Sequence, residues 1–204
     1  MSSFTFSPPF KTFDLSSYFR EQFHEHQEVA KATPHALHDP FLKLVALCRD
    51  SLEKGGKILF FGNGGSAADA QHLATELTVR FIKNRAAIPA LALTTDTSAL
   101  TAIGNDLGFE HLFARQIEAL GKAGDVAIGL TTSGKSPNIL EGFKVGRAKG
   151  LHTVGFTGGT GGHLPGVADL LLVVPSMTTS RIQEMHITLG QMLCGALEIE
   201  LGLV

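Results

Sequence analysis

The chain has 204 residues, a formal net charge of -2, 44% hydrophobic and 18% charged residues. That length allows one domain with a substantial core. The near-neutral balance removes the electrostatic case for nucleic acid or an anionic membrane as partner. No apolar run reaches the ~18 residues of a membrane span.

Residues 1–9 lack a basic segment followed by an apolar core, so they do not read as a secretory signal. Two helices are expected next, over 14–29 and 40–54. Five short apolar runs follow, at 57–61, 90–94, 125–130, 152–156 and 169–174. Helical stretches separate them at 66–81, 98–103 with 110–119, and 137–149, and a last helix is expected over 179–201. Strands apolar throughout and alternating with helices predict a parallel sheet covered on both faces. Many of the 23 glycines close these runs, as tight strand–helix turns require. Ligands of such sheets bind at the carboxyl ends of the strands. Cys48 and Cys194 lie far apart in apolar helical contexts and read as buried free thiols of a reducing cytosol. The last helix is apolar on more than one side, through Ile182, Met185, Leu189, Leu193 and Leu197 and through Ile187, Met192, Ile199 and Leu203. In a chain this small, such a helix predicts subunit contacts as well as a core.

Two glycine turns fall at the carboxyl ends of strands. The first, Gly62-Asn63-Gly64-Gly65-Ser66, joins an apolar run to an Ala-rich helix. That geometry aims free backbone N–H groups at an anion, usually a phosphate. The helix it opens carries Asp69, His72 and Glu76, with His72 and Glu76 about 40° apart on the wheel. The pair could ligate a metal, act as a catalytic pair or lie on the surface. The second turn, Thr131-Thr132-Ser133-Gly134-Lys135-Ser136, precedes Pro137 at a favoured first helical position. Its hydroxyls could share a phosphate with the backbone amides or merely cap the helix. From Gly129 it also fits the P-loop pattern of nucleotide-binding proteins. Gly129, however, lies inside the apolar run, and no apolar strand ends in a magnesium-binding Asp; Asp96 comes only after two threonines. On the last helix, Gln183 and Gln191 stand about 80° apart and need polar partners if buried.

At these residues the chain resembles the phosphoheptose isomerases, a branch of the sugar-isomerase (SIS) domain family. The resemblance takes in the first turn, Ala70-Gln71-His72 with Glu76 and Arg80, Gly104-Asn105-Asp106, the Thr132–Asn138 segment and Arg181-Ile182-Gln183-Glu184, in family order. It implies a single SIS domain over 1–204: a flavodoxin-like three-layer α-β-α sandwich with a five-stranded parallel sheet. The N-terminal helices (1–54) would serve packing and oligomerisation in a cytoplasmic homotetramer with sites at subunit interfaces. The implied reaction converts sedoheptulose 7-phosphate to D-glycero-D-manno-heptose 7-phosphate, towards the heptose of bacterial surface glycans. Ser66, Thr131, Thr132, Ser133 and Ser136 match phosphate and sugar contacts; Asn63, Gly64, Gly65, Asn105 and Asp106 match the other substrate contacts. The family often holds zinc, and His72, Glu76 and Gln183 match three of its ligands. At Gln191 the family usually has a histidine that is both ligand and acid/base. An amide oxygen could still touch a metal, but glutamine relays no proton at neutral pH.

The resemblance and the chemistry of an enediol together assign Glu76 as base, with zinc polarising the sugar oxygens. The proton shuttle is then Asp69, His186 or water, and Asp69 could instead orient His72. The family also includes a relative that binds the bacterial replication initiator and lacks both the glutamate and the histidine. This chain keeps Glu76, so a non-catalytic sugar-phosphate or initiator-binding role is the alternative.

Overall fold

A computed structural model describes residues 13–204; the segment 1–9 considered above lies outside them. Five parallel strands form one sheet in the order β2-β1-β3-β4-β5: β1 (Ile58–Gly62), β2 (Ala90–Ala92), β3 (Val126–Leu130), β4 (His152–Gly158) and β5 (Leu170–Val174). β1 and β3 pair in register from Ile58 with Val126 to Gly62 with Leu130. Both are buried along their whole length, which is why they read as unbroken apolar runs.

Successive side chains of a strand point to opposite faces. Ile58 and Phe60 join a core with α1 (Leu15–Glu53), α2 (Gly65–Thr78) and α6 (Thr179–Glu200). Leu59 and Phe61 join a second core with α3 (Thr97–Asp106), α4 (Leu112–Leu120) and α5 (Pro137–Ala148). The three-layer sandwich is therefore as expected. Gly129 sits inside β3, where a Cβ would come within 2.6 Å of Phe143 and 2.9 Å of Phe61. Its role is to let those two rings meet edge-on at 5.3 Å, and it opens no P-loop.

The N-terminal region departs from the expectation of two helices. Residues 15–53 form one helix that runs through Pro34 and Pro40. Proline costs an interior helix about 3 kcal/mol by removing a donor and crowding the preceding turn. Here Val29, Thr33, Leu37, Leu44, Val45 and Cys48 are buried at helical spacing on both sides of the prolines. Burial of that continuous stripe outweighs the local penalty. Among the described residues no helix is long and apolar enough to cross a membrane.

Candidate active site at the reversal of strand order

From β1 the chain crosses through α2 to β2, and from neighbouring β3 it crosses through α5 to β4 on the other side. The connections diverge between β1 and β3, so a crevice opens at their carboxyl ends. Both glycine turns line it.

In the first turn, Gly64 has φ +56°, a conformation that glycine adopts without strain. Ser66 N–H donates to Asn63 O and Ala67 N–H to Gly64 O, both at 3.0 Å. The Gly64 and Gly65 N–H groups precede the first intrahelical bonds and belong to the helix start's orphan donors. In the second turn, Gly134 has φ +63°, and a Cβ there would lie 2.2 Å from Gly161 O. His163 N–H donates to Gly134 O at 2.9 Å, so the loop after β4 backs this turn. Thr131 is buried, and its hydroxyl accepts from Gly134 N–H at 3.3 Å. Ser133 Oγ accepts from Lys135 N–H at 3.2 Å. Both hydroxyls keep a proton to donate. Thr132 and Ser136 are half-buried and Ser66 is buried at the start of α2.

α2 and α6 run side by side in the same direction. A Cβ on Gly65 would come within 2.7 Å of Gln183 Nε2, and one on Gly190 within 2.4 Å of Leu73. Further along, Phe81 N–H donates to Glu198 at 3.1 Å. Gln183 thus stands level with the phosphate turn, and Gln191 level with the stretch from His72 to Glu76. His72 Nε2 lies 3.0 Å from Glu76 Oε1; the imidazole is 47% exposed and the carboxylate 22%. The contact is that of an i,i+4 pair on one helix face. Asp69 is half-buried, and loss of water raises its pKa against the pull of His72.

Three positions fall away from this arrangement. His186 is fully buried, and its Nε2 lies 3.2 Å from Thr157 O, so that nitrogen donates its proton to the carbonyl. Burial pushes its pKa down to about 4. This buried, neutral ring braces α6 on β4, and the expectation of His186 as shuttle is corrected. Asn105 and Asp106 are exposed at the far end of α3, about 15 Å of helix from the crevice edge. Asn105 Nδ2 donates to Asp106 at 2.7 Å.

The SIS domain family matches residues 21–158. The phosphoheptose isomerase of Paramagnetospirillum magneticum is 58% identical over 184 residues, covering 90% of this chain and 96% of its own. The chain belongs to the phosphoheptose isomerase family. The Burkholderia pseudomallei member is 58% identical over 156 residues, covering 76% of this chain and 79% of its own. The solved phosphoheptose isomerase of Neisseria gonorrhoeae superposes with a TM-score of 0.86 at 42% identity, over 91% of this chain and 99% of that one. That of Francisella tularensis gives 0.89 at 34% identity, over 92% and 100%.

Within this phosphoheptose isomerase fold, the Arg181–Glu184 segment divides its work. Arg181 and Glu184 pair at 2.8 Å; Arg181 also holds Gln22 O, and Glu184 holds His26 at 2.8 Å. They dock α6 on α1, while Gln183 faces the site. The zinc expected from the resemblance can be tested against the donors present. Two ligands of a tetrahedral zinc, each about 2.0–2.1 Å from it, stand roughly 3.3 Å apart. His72 Nε2 and Glu76 Oε1, at 3.0 Å, are near that edge but equally at hydrogen-bond distance, and among the described residues no third His, Cys, Asp or Glu joins them. Gln191 is level with them but offers only an amide oxygen.

Sequence reading missed the roles of three residues. Asn138 is buried and bonded to Asn63; its place after Ser136-Pro137 marks a helix start but no partner. Arg85 and Glu198 form a buried ion pair between the segment after α2 and α6. Glu198, set between apolar Leu197 and Ile199, was the available hint. A cavity of about 480 Å³ lies at the opposite, amino-terminal edge of the sheet, lined by Asp50, Lys54, Lys122 and His152 among others. It is remote from both turns.

Proposed function

We propose that this chain is an isomerase that interconverts D-sedoheptulose 7-phosphate and D-glycero-D-manno-heptose 7-phosphate through an enediol. The observation that carries this reading is Glu76, a part-exposed carboxylate touching His72 on the helix that rises from the first glycine turn. Ketose–aldose exchange removes a proton from the carbon beside the carbonyl and returns one to the neighbouring carbon. It therefore needs a base at that carbon, donors for the developing oxyanion and a route for the hydroxyl proton.

In this reading the phosphate lies against the two turns, held by the Gly64 and Gly65 N–H groups and the hydroxyls of Ser66, Thr132, Ser133 and Ser136, with Thr131 shaping the second turn. The sugar then extends along the α2–α6 seam. Glu76 takes the carbon-bound proton and gives it back one carbon along. Without a metal, His72 holds the carboxylate by donating from Nε2. Asp69, half-buried on the same helix one turn before His72, relays between the oxygens or orients His72. Gln183 and Asn63 line the path. A zinc ion held by His72 Nε2, which would then carry no proton, and by Glu76, with the amide oxygens of Gln183 and Gln191, would supply polarisation of the sugar oxygens, and Glu76 would serve as base only with its coordination loosened.

The reading extends to a homotetramer with shared sites. α1 carries exposed Leu15, Phe19 and Phe23, and α6 exposes Met192 and Ile199. Single exposed apolar residues are ordinary, but rows of them on two packed helices favour association. Contacts from Asn105 and Asp106 would then come from another subunit. The buried thiols of Cys48 and Cys194 accord with a reducing cytoplasm.

The test is an isomerase assay on sedoheptulose 7-phosphate with added zinc, run beside Gln191→His. Zinc-dependent turnover by the native chain supports the enzyme reading, with Gln191 a tolerated ligand. Turnover by Gln191→His alone would make the native chain a sugar-phosphate-binding protein.

A further inference from the structure

We infer that Arg85 and Glu198 are positioning residues: a buried clamp that fixes the backbone of Glu76 against α6. This rests on the reading of Glu76 as the base.

Arg85 lies in the irregular segment after α2, where no periodicity marks it. Its side chain is only 1% exposed and that of Glu198 2%. The guanidinium spends its donors on four oxygens. Nε donates to Glu198 Oε1 at 2.8 Å, Nη1 to Leu77 O at 2.6 Å and Ala86 O at 3.0 Å, and Nη2 to Glu76 O at 2.8 Å. Glu198 Oε1 also accepts from Phe81 N–H at 3.1 Å.

Glu76 and Leu77 are in the last turn of α2, where carbonyls have no intrahelical donor. Arg85 supplies donors to both, and it sets a positive charge at the negative end of the helix dipole. The carbonyl it grips belongs to the residue whose carboxylate faces the sugar. Glu198 lies two turns beyond Gln191 on α6, so the clamp joins the two helices that carry Glu76 and Gln191. Leu73 packed on Gly190 is the other fixed point along the same seam. Together they set both the spacing and the register of α2 on α6.

Stability alone does not require charge here. A buried ion pair is often matched or bettered by a well-packed apolar pair. An apolar pair, however, offers no donor to Glu76 O. The planar fork of arginine can hold Glu198 and both carbonyls at once; a lysine ammonium cannot.

The experiment compares Arg85→Met/Glu198→Met, Arg85→Lys and Glu76→Gln with the native enzyme, in zinc-containing buffer. Thermal unfolding, kcat and KM for sedoheptulose 7-phosphate are measured for each. The clamp predicts that the double variant stays folded, keeps KM within about twofold, and loses tenfold or more in kcat. Arg85→Lys should lie between it and the native enzyme. A folded double variant with native kcat, or one in which only KM rises, overturns the inference. If the double variant does not fold, Arg85→Lys decides: lowered kcat at native KM supports the clamp, and native kcat overturns it. Turnover retained by Glu76→Gln would instead remove the base assignment, and with it the ground for the clamp.

Discussion

Asn63 and Asn138, 75 residues apart in the chain, exchange two side-chain hydrogen bonds of 2.9 Å each across the crevice between β1 and β3. Each amide gives one N–H and takes one in return. Asn63 stands in the first glycine turn and Asn138 in the first turn of α5, so this clasp fixes the gap in which a phosphate would lie. Asn138 is 1% exposed, and leaving half of a buried amide pair without its partner costs about 1–3 kcal/mol. Asn138→Leu should lower stability by that order and weaken binding of the sugar phosphate several-fold, because the turns lose their fixed separation. Denaturant unfolding and calorimetric titration with sedoheptulose 7-phosphate test this together. Native affinity in a destabilised protein would show that the clasp serves the fold alone.

Replacing Glu76 by glutamine keeps the shape and the contact with His72 but removes the proton acceptor. General-base catalysis contributes about 10²–10⁴-fold, so kcat should fall by at least the lower figure. Binding of the sugar phosphate should persist, since the two turns are untouched. Exchange of the substrate's carbon-bound proton with solvent deuterium, followed by NMR, isolates the step. Exchange at the native rate in Glu76→Gln would end the assignment of the base.

Strand positions were legible within one or two residues, because both faces of every central strand are covered and an apolar run is the result. The glycine turns were legible for the opposite reason: Gly64 and Gly134 need positive φ, and glycine marks the place. α1 was misread because Pro34 and Pro40 are strong local signals, whereas the stripe from Val29 to Cys48 gains its energy only from α6 and the sheet. The clasp of Asn63 with Asn138 and the clamp of Arg85 with Glu198 join residues 75 and 113 apart. No local pattern encodes such pairs. His186 looked available because periodicity says that α6 has several apolar sides but not which side faces β4.

Gln191 stands level with His72 and Glu76 on the α2–α6 seam, so under the proposed zinc reading a better ligand there should strengthen metal binding. Imidazole outranks an amide oxygen for zinc. Gln191→His should tighten zinc binding roughly tenfold or more, which asks about 1.4 kcal/mol of one improved ligand. Competition with a chromogenic chelator measures it without reference to turnover. Equal affinities in the two proteins would place residue 191 outside any metal site.

The buried ring of His186 makes stability depend on pH in a defined direction. Its pKa is about 4 in the folded protein, against 6.5 when unfolded. Between those values the unfolded chain binds the proton and the folded chain does not, so acid favours unfolding. The contribution is complete above pH 6.5 and is lost as pH falls towards 4. That difference corresponds to about 3 kcal/mol. His186→Gln keeps an N–H to donate to Thr157 O and removes the titration. Urea unfolding at pH 7 and pH 4.5 should therefore show a smaller acid loss in the variant, by about 2–3 kcal/mol. Equal losses in both proteins would mean that the ring protonates without breaking its place between α6 and β4.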